Sequence, residues 1–306
     1  MVARIRLSRF DAVRRWSLVF SLPAVSAFLA AGQPHVSGVA AVNGTRLYYE
    51  VAGTGSPVVL VSGGGTLDRR QWDDQFDLLA TRFRVVRYDI RGIGRSARPT
   101  SEFSHHEDLR ALLDSLNINR AVVCGVSFGA AIAVDFALDH ADMVSGLVLA
   151  GPGLSSDKQE SVAGVRELAA FAKKEGLERA IDAITGAPSF ISADNESARR
   201  RIRQIYLDNR DVFEAGFPLV TLWQPTSPPA TVRLALIKAP TLIVAGGNDH
   251  AAAVATADRL ASSIRGAQKV VISGAAHMVN MDAPAEFNRA MLGFLEPSAN
   301  PAKSRP

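Results

Sequence analysis

The sequence predicts a doubly wound α/β fold, in which a mostly parallel sheet of about eight strands carries an inserted helical segment. Short apolar runs, namely PVVLVSG, FRVVRYDI, AVVCGVS, GLVLAGP, PTLIVAGG and KVVISG, are rich in Val, Ile and Leu without clean alternation. Such runs are typical of strands buried on both faces of a parallel sheet. Helical patterns such as HEDLRALLDSL and PAEFNRAMLGFL lie between them, and strands that alternate with helices indicate this fold class.

The predicted elements follow one another in a simple order. The Asn-Gly pair in VAAVNGTRLYYEV, flanked by alternating residues, predicts a hairpin that opens the core. We assign 37–154 and 235–296 to this core. Between them, 155–234 contains amphipathic helical patterns such as ESARRRIRQIYLDN, which predict a helical cap inserted between two strands. The tail 297–306 is polar and proline-rich, and we expect it to be disordered.

The composition describes an ordinary globular enzyme-sized chain. It has 306 residues, of which 47% are apolar and 21% charged, enough to bury one large core. The first fifteen residues carry five arginines and one aspartate, which accounts for the whole net charge of +4. The basic balance therefore does not indicate a nucleic-acid partner. Cys124 is the only cysteine, so no intramolecular disulfide can form.

The N-terminal segment, 1–36, has the pattern of a secretory leader. After the arginines, Trp16–Gly32 is uncharged, is interrupted by Pro23 and ends in small residues, as in a signal peptide. The run is too short for a typical membrane span, so we expect no stable span in the mature chain. We expect export to the periplasm or medium, with a mature N-terminus between Phe28 and Val36. The alternative is a cytoplasmic protein whose start was assigned too far upstream.

One short motif carries most of the chemical information. Gly125-Val126-Ser127-Phe128-Gly129 forms G-x-S-x-G between an apolar run and a helical pattern. In this context the motif indicates a nucleophile elbow, a turn so tight that Gly125 and Gly129 leave no room for side chains. The turn lifts the Ser127 hydroxyl clear of the sheet, at the start of a helix whose dipole favours developing negative charge.

From about Val42 to Leu295 the chain resembles the α/β-hydrolase fold superfamily. The matching stretches are VVLVSGGG, FRVVRYDIRGIGRSARP, GVSFGA, PTLIVAGGNDH and SGAAHMVNMDAPAEFNRAMLGFL, in the family's order. The nearest similarity is to capped serine hydrolases: esterases, enol-lactonases and cofactor-free haloperoxidases. This resemblance implies a Ser-His-Asp triad and a mechanism that requires no metal and no organic cofactor.

A serine nucleophile needs a base, and the base needs an orienting acid. His277 follows the strand-like VVISG near the C-terminus, which satisfies the family order of serine, acid, histidine. Asp249 follows the strand-like TLIVAGG and is the expected acid, with Asp282 as the nearest rival. The predicted triad is therefore Ser127, Asp249 and His277.

The resemblance also places an oxyanion hole. Its backbone N–H donors should be Phe128, directly after the nucleophile, and Gly64, after the run PVVLV. The family usually has a histidine where this chain has Ser62. In the family that histidine normally supports the loop, so we expect the replacement to bear on loop geometry more than on reactivity.

Other signals have weaker functional interpretations. The pair His105-His106 suggests a metal site, but adjacent histidines point to different sides of a helix and no third ligand is evident. We expect a solvated helix start there. The glycine run after PVVLV lacks the Gly-Lys-Ser/Thr of a phosphate loop.

These observations predict a hydrolase that cleaves a carboxylic ester or lactone of a small organic molecule through an acyl-enzyme. The same triad also serves carbon–carbon bond hydrolases and perhydrolase-type haloperoxidases, so those alternatives stay open. A non-catalytic ligand-binding homologue is an alternative of another class. The sequence does not indicate an oligomeric state.

Overall fold

The computed structural model describes residues 35–64 and 66–296. The predicted disordered tail and all but the last two residues of the predicted leader lie outside this part of the chain. The expectations for them stay predictions.

The fold is built on one eight-stranded sheet with the order β1-β2-β4-β3-β5-β6-β7-β8. The first two strands pair as an antiparallel hairpin, β2 is antiparallel to β4, and the remaining neighbours are parallel. The predicted fold class is therefore confirmed. The strands are β1 (Val36–Val42), β2 (Thr45–Ala52), β3 (Pro57–Val61), β4 (Arg84–Tyr88), β5 (Ala121–Val126), β6 (Val144–Ala150), β7 (Thr241–Gly246) and β8 (Gln268–Ile272).

The strands at the centre of the sheet are nearly all buried, as their apolar runs predicted. Helices connect and cover them. In chain order these are α1 (Asp73–Ala80), α2 (His105–Ser115), α3 (Phe128–Asp139), α4 (Lys158–Glu175), α5 (Leu177–Gly186), α6 (Glu196–Asp208), α7 (Asp211–Glu214), α8 (Pro218–Thr221), α9 (Ala251–Ser263), α10 (Val279–Asp282) and α11 (Pro284–Leu295).

The connection between β6 and β7 contains the five helices α4 to α8. Hydrogen bonds to α3 attach both ends of this segment to the core. The carboxylate of Asp135 accepts a hydrogen bond from the hydroxyl of Ser155 (2.5 Å) and another from the backbone N–H of Thr226 (3.1 Å). The two ends of the inserted segment therefore share one acceptor in the core.

The expectation of a solvated start for α2 is wrong. His105 and His106 are 1% and 5% exposed. His105 Nε2 lies 3.2 Å from the carbonyl of Leu219, and its ring packs against Phe128 and Trp223. The inserted segment covers this helix start, and that tertiary contact has no local signature. Burial lowers the pKa of His105 to about 3, so the ring is neutral and can donate to the carbonyl.

Among the described residues, none of the helices combines the length and apolarity that a membrane crossing requires.

Candidate active site

The loop between β5 and α3 carries Ser127 in a strained conformation. Its φ is 54° and its ψ is −114°, a region that residues other than glycine seldom adopt. A methyl group on Gly125 would lie 2.2 Å from the carbonyl oxygen of Gly129, and one on Gly129 would lie 2.3 Å from that of Val61. Both glycines are therefore required by close backbone approach, and the serine is held at a sharp strand-to-helix turn.

The structure brings the three residues of the predicted triad together. His277 Nε2 lies 2.8 Å from Ser127 Oγ. His277 Nδ1 lies 2.9 and 3.1 Å from the two carboxylate oxygens of Asp249. A carboxylate on Nδ1 fixes the tautomer whose Nδ1–H donates to it, which leaves Nε2 free to accept the serine proton.

Backbone contacts hold the loop that carries His277. Its N–H donates to the carbonyl of Ser189 (3.0 Å), in the inserted segment. The rival acid, Asp282, does not contact the imidazole. Its carboxylate accepts hydrogen bonds from the N–H of Ala276 (2.7 Å) and the hydroxyl of Ser192 (2.6 Å). Asp282 therefore fastens the histidine loop to the inserted segment.

The two residues predicted to supply the oxyanion donors, Gly64 and Phe128, lie close together. A methyl group on Gly64 would lie 2.9 Å from Cβ of Phe128, so the loop after β3 packs directly on the residue after the nucleophile. Within residues 35–64 and 66–296, the Gly64 N–H has no hydrogen-bond acceptor, and the Phe128 N–H has none outside α3. The neighbouring N–H of Gly63 donates instead to Oε1 of Gln71 (2.6 Å). This contact was not evident from the sequence.

A cavity of about 210 Å³ opens beside the triad. Besides Ser127, Phe128 and His277, its walls include two acids from the start of the inserted segment, Asp157 and Glu160. Burial and the nearby Glu160 raise the pKa of Asp157, while Arg259 opposes this rise. Sequence patterns did not single out either acid. A larger cavity, about 960 Å³, lies away from the triad against β8 and α11.

Asp249, His250 and His277 place possible metal-ligating atoms close together. Their hydrogen bonds do not fit a metal site, however. Asp249 and His277 Nδ1 are paired with each other, and His250 Nδ1 accepts a hydrogen bond from the N–H of Ala253 (3.2 Å). Burial, with the adjacent His277, lowers the pKa of His250, while Asp249 opposes this shift. The His250 ring forms part of the cavity wall.

Comparison with known proteins gives a consistent family assignment. Residues 58–290 match the model of the "Alpha/beta hydrolase family". A curated relative from Metapseudomonas resinovorans, 2-hydroxy-6-oxo-6-(2'-aminophenyl)hexa-2,4-dienoic acid hydrolase, is 26% identical over 84% of this chain and 90% of its own. The enol-lactonase from Burkholderia xenovorans LB400 superposes with a TM-score of 0.71 and 28% identity, covering 84% of this chain and 99% of that structure. A thermophilic esterase from Thermogutta terrifontis superposes with a TM-score of 0.69 and 25% identity, covering 86% and 98%.

Proposed function

This chain belongs to the alpha/beta hydrolase family, and on that premise we propose that it is a serine hydrolase acting on a carboxylic ester or lactone. The supporting observation is the continuous hydrogen-bonded series from Ser127 through His277 to Asp249. Its serine is followed by Phe128, whose N–H has no acceptor outside α3, and Phe128 packs on Gly64, whose N–H has none in the described part of the chain. Enol-lactonase and esterase structures among the neighbours support the same reaction class.

In the proposed mechanism, His277 Nε2 takes the proton from Ser127 as Oγ attacks the substrate carbonyl. The resulting oxyanion accepts hydrogen bonds from the N–H groups of Gly64 and Phe128. His277 then gives its proton to the leaving alkoxide, which departs and leaves the acyl-enzyme. Water, deprotonated by the same imidazole, releases the acid and restores Ser127. Asp249 keeps the imidazole oriented and stabilises its charged form. No metal or organic cofactor is needed for these steps.

The charge of the cavity favours a neutral or cationic substrate. Asp157 and Glu160 line it, and among the described residues that form its walls there is no lysine or arginine. Two carboxyl groups in the cavity wall oppose the binding of an anion. The relative from Metapseudomonas resinovorans is named for a dienoic acid, which carries a carboxylate of its own. Carbon–carbon hydrolysis is therefore the second candidate, supported by that relative and disfavoured by the cavity. Perhydrolase-type chemistry on the same triad is a further alternative.

The proposal is tested with a substrate panel. Purified protein is assayed with p-nitrophenyl butyrate, its anionic analogue p-nitrophenyl hemisuccinate, a γ-lactone and a 6-oxo-dienoic acid, with Ser127→Ala as the inactive control. We expect ester and lactone hydrolysis, with kcat/KM for the neutral ester about tenfold above that for the anionic ester at low salt.

The double variant Asp157→Asn/Glu160→Gln should bring this ratio of neutral to anionic ester closer to one. Asp142→Asn, an exposed acid beyond the far end of α3, should not. Faster turnover of the dienoic acid than of any ester would contradict the proposal.

A further inference from the structure

We propose that Gln71 is the positioning residue of the oxyanion hole, and that it orients the Gly64 N–H by holding the preceding Ser62–Gly63 peptide. It also joins the oxyanion loop to the loop that carries His277. The inference rests on the proposed serine hydrolase mechanism and deepens it.

The first observation is the hydrogen bond between the Gly63 N–H and Oε1 of Gln71, at 2.6 Å. Gln71 is fully buried, so water does not compete for this contact. The loop contains Gly63 and Gly64 in succession, and glycine adopts a wider range of backbone angles than any other residue. An oxyanion donor is effective only if its direction is fixed before the reaction. The Gln71 amide holds the Ser62–Gly63 peptide, which immediately precedes the peptide that bears the Gly64 N–H.

The contact also decides which N–H is available. Since the Gly63 N–H is already bound to Gln71, it cannot serve the substrate. Gly64 packs against Phe128, and its N–H has no hydrogen-bond acceptor among the described residues, so it keeps its donor capacity. Gln71 therefore selects the donor as well as orienting it.

The second observation is on the other side of the same amide. Nε2 of Gln71 donates to Sδ of Met278 (3.1 Å), the residue that follows His277. The backbone carbonyl of Gln71 accepts from the side chain of Asn280 (2.9 Å). One buried side chain thus joins the loop that binds the oxyanion to the loop that carries the base, more than 200 residues apart in sequence.

Ser62 does not perform this role. Its hydroxyl donates to the carbonyl of Asp68 (3.0 Å), further along the same loop. Asp68 in turn accepts from the side chain of Asn209 at the end of α6 (2.9 Å). Ser62 and Asp68 therefore brace the outer part of the loop, while Gln71 fixes its inner part.

The test compares Gln71→Met with Gln75→Met. Both replacements keep the length of the side chain and remove its amide. Gln75 is also fully buried and contacts Asn280 and Asn288, but it does not contact the oxyanion loop. Loss of a whole oxyanion donor costs about 10²–10³ in kcat, so a misdirected donor should cost about tenfold or more. We expect Gln71→Met to lower kcat by at least about tenfold, with KM changed less than about twofold.

A transition-state analogue separates positioning from general loss of structure. The affinity of a boronic acid should fall with kcat in Gln71→Met, whereas that of the carboxylic acid product should not. Gln75→Met should lower the melting temperature and leave kcat and boronic acid affinity within about twofold of the wild type. Equal kcat in folded Gln71→Met and Gln75→Met would overturn the inference.

Gln71→Glu gives an independent result if the methionine variant does not fold. A buried carboxyl is neutral at low pH, where it can both accept and donate as the amide does. When it ionises, its charge opposes the oxyanion. The ratio of variant to wild-type kcat should therefore fall as pH rises, and a flat ratio would contradict the role of Gln71. Wild-type protein without esterase activity or fluorophosphonate reactivity would instead refute the proposed function itself.

Discussion

At the scale of single residues, Gly151 shows how closely the backbone surrounds the triad. It follows β6 with a φ of +44°. A methyl group there would lie 2.5 Å from the carbonyl oxygen of His277 and 3.4 Å from a carboxylate oxygen of Asp249. The sequence LVLAGPG gives no sign of these contacts, because they form between segments that are distant in the chain.

We therefore expect Gly151→Ala to displace His277 and to lower kcat by about tenfold or more, since misplacing a catalytic group by about 1 Å can cost about 10². Gly44→Ala is the matched control, because Gly44 also has a positive φ (+68°) but nothing near its missing methyl group. It should cost about 1–2 kcal/mol of unfolding free energy without changing kcat. Steady-state kinetics and denaturant unfolding measure both effects. Wild-type kcat in Gly151→Ala would contradict the packing argument.

At the scale of elements, α3 connects the nucleophile to the inserted segment. The helix begins directly after Ser127 and carries the buried Asp135, which accepts hydrogen bonds from both ends of that segment. Burial raises the pKa of Asp135 to about 7, although the hydrogen bond from Ser155 and that from the N–H of Thr226 oppose the rise. The charged and titratable groups around this carboxyl are His106, Asp139 and Arg233.

This carboxyl should make stability depend on pH. Between its ordinary pKa of 3.8 and about 7, the folded protein keeps the proton of Asp135 while the unfolded chain releases it. The contribution of Asp135 to the unfolding free energy therefore falls as pH rises through this window, by roughly 4 kcal/mol at most.

Asp135→Asn cannot ionise, and its amide can still accept from Thr226 and donate to Ser155. We expect the stability of this variant relative to the wild type to increase between pH 4 and pH 8. Urea unfolding of both proteins at each pH measures the difference in unfolding free energy. Titratable groups that both proteins share contribute equally to each, so their effect cancels in the difference. A difference that does not vary with pH would show that Asp135 is ionised throughout.

At the scale of the whole molecule, the sequence predicted the fold class and the residues that the structure brings together at the triad. Buried parallel strands and a nucleophile elbow have local signatures, so they can be read from short stretches. No such local signature exists for the role of Gln71, for the acids of the cavity or for the burial of His105. Each depends on a side-chain contact between distant segments, such as Gln71 with Met278 or His105 with Leu219.

Export of the protein stays a prediction, since almost all of the leader lies outside the described residues. The first strand begins at Val36. Cleavage within the expected interval, from Phe28 to Val36, would therefore leave the described strands and helices essentially complete. The N-terminal sequence of protein from its native host determines whether the leader is removed.

The most direct measurement for the whole account is the site and rate of labelling by a fluorophosphonate, followed by intact-mass and peptide mass spectrometry. A serine activated by His277 and Asp249 should take up one phosphonyl group per chain, on Ser127. The rate should fall by about 10³ or more in His277→Gln, and Ser127→Ala should remain unmodified. Labelling at another residue, or an unchanged rate in folded His277→Gln, would show that these three side chains do not form a catalytic triad.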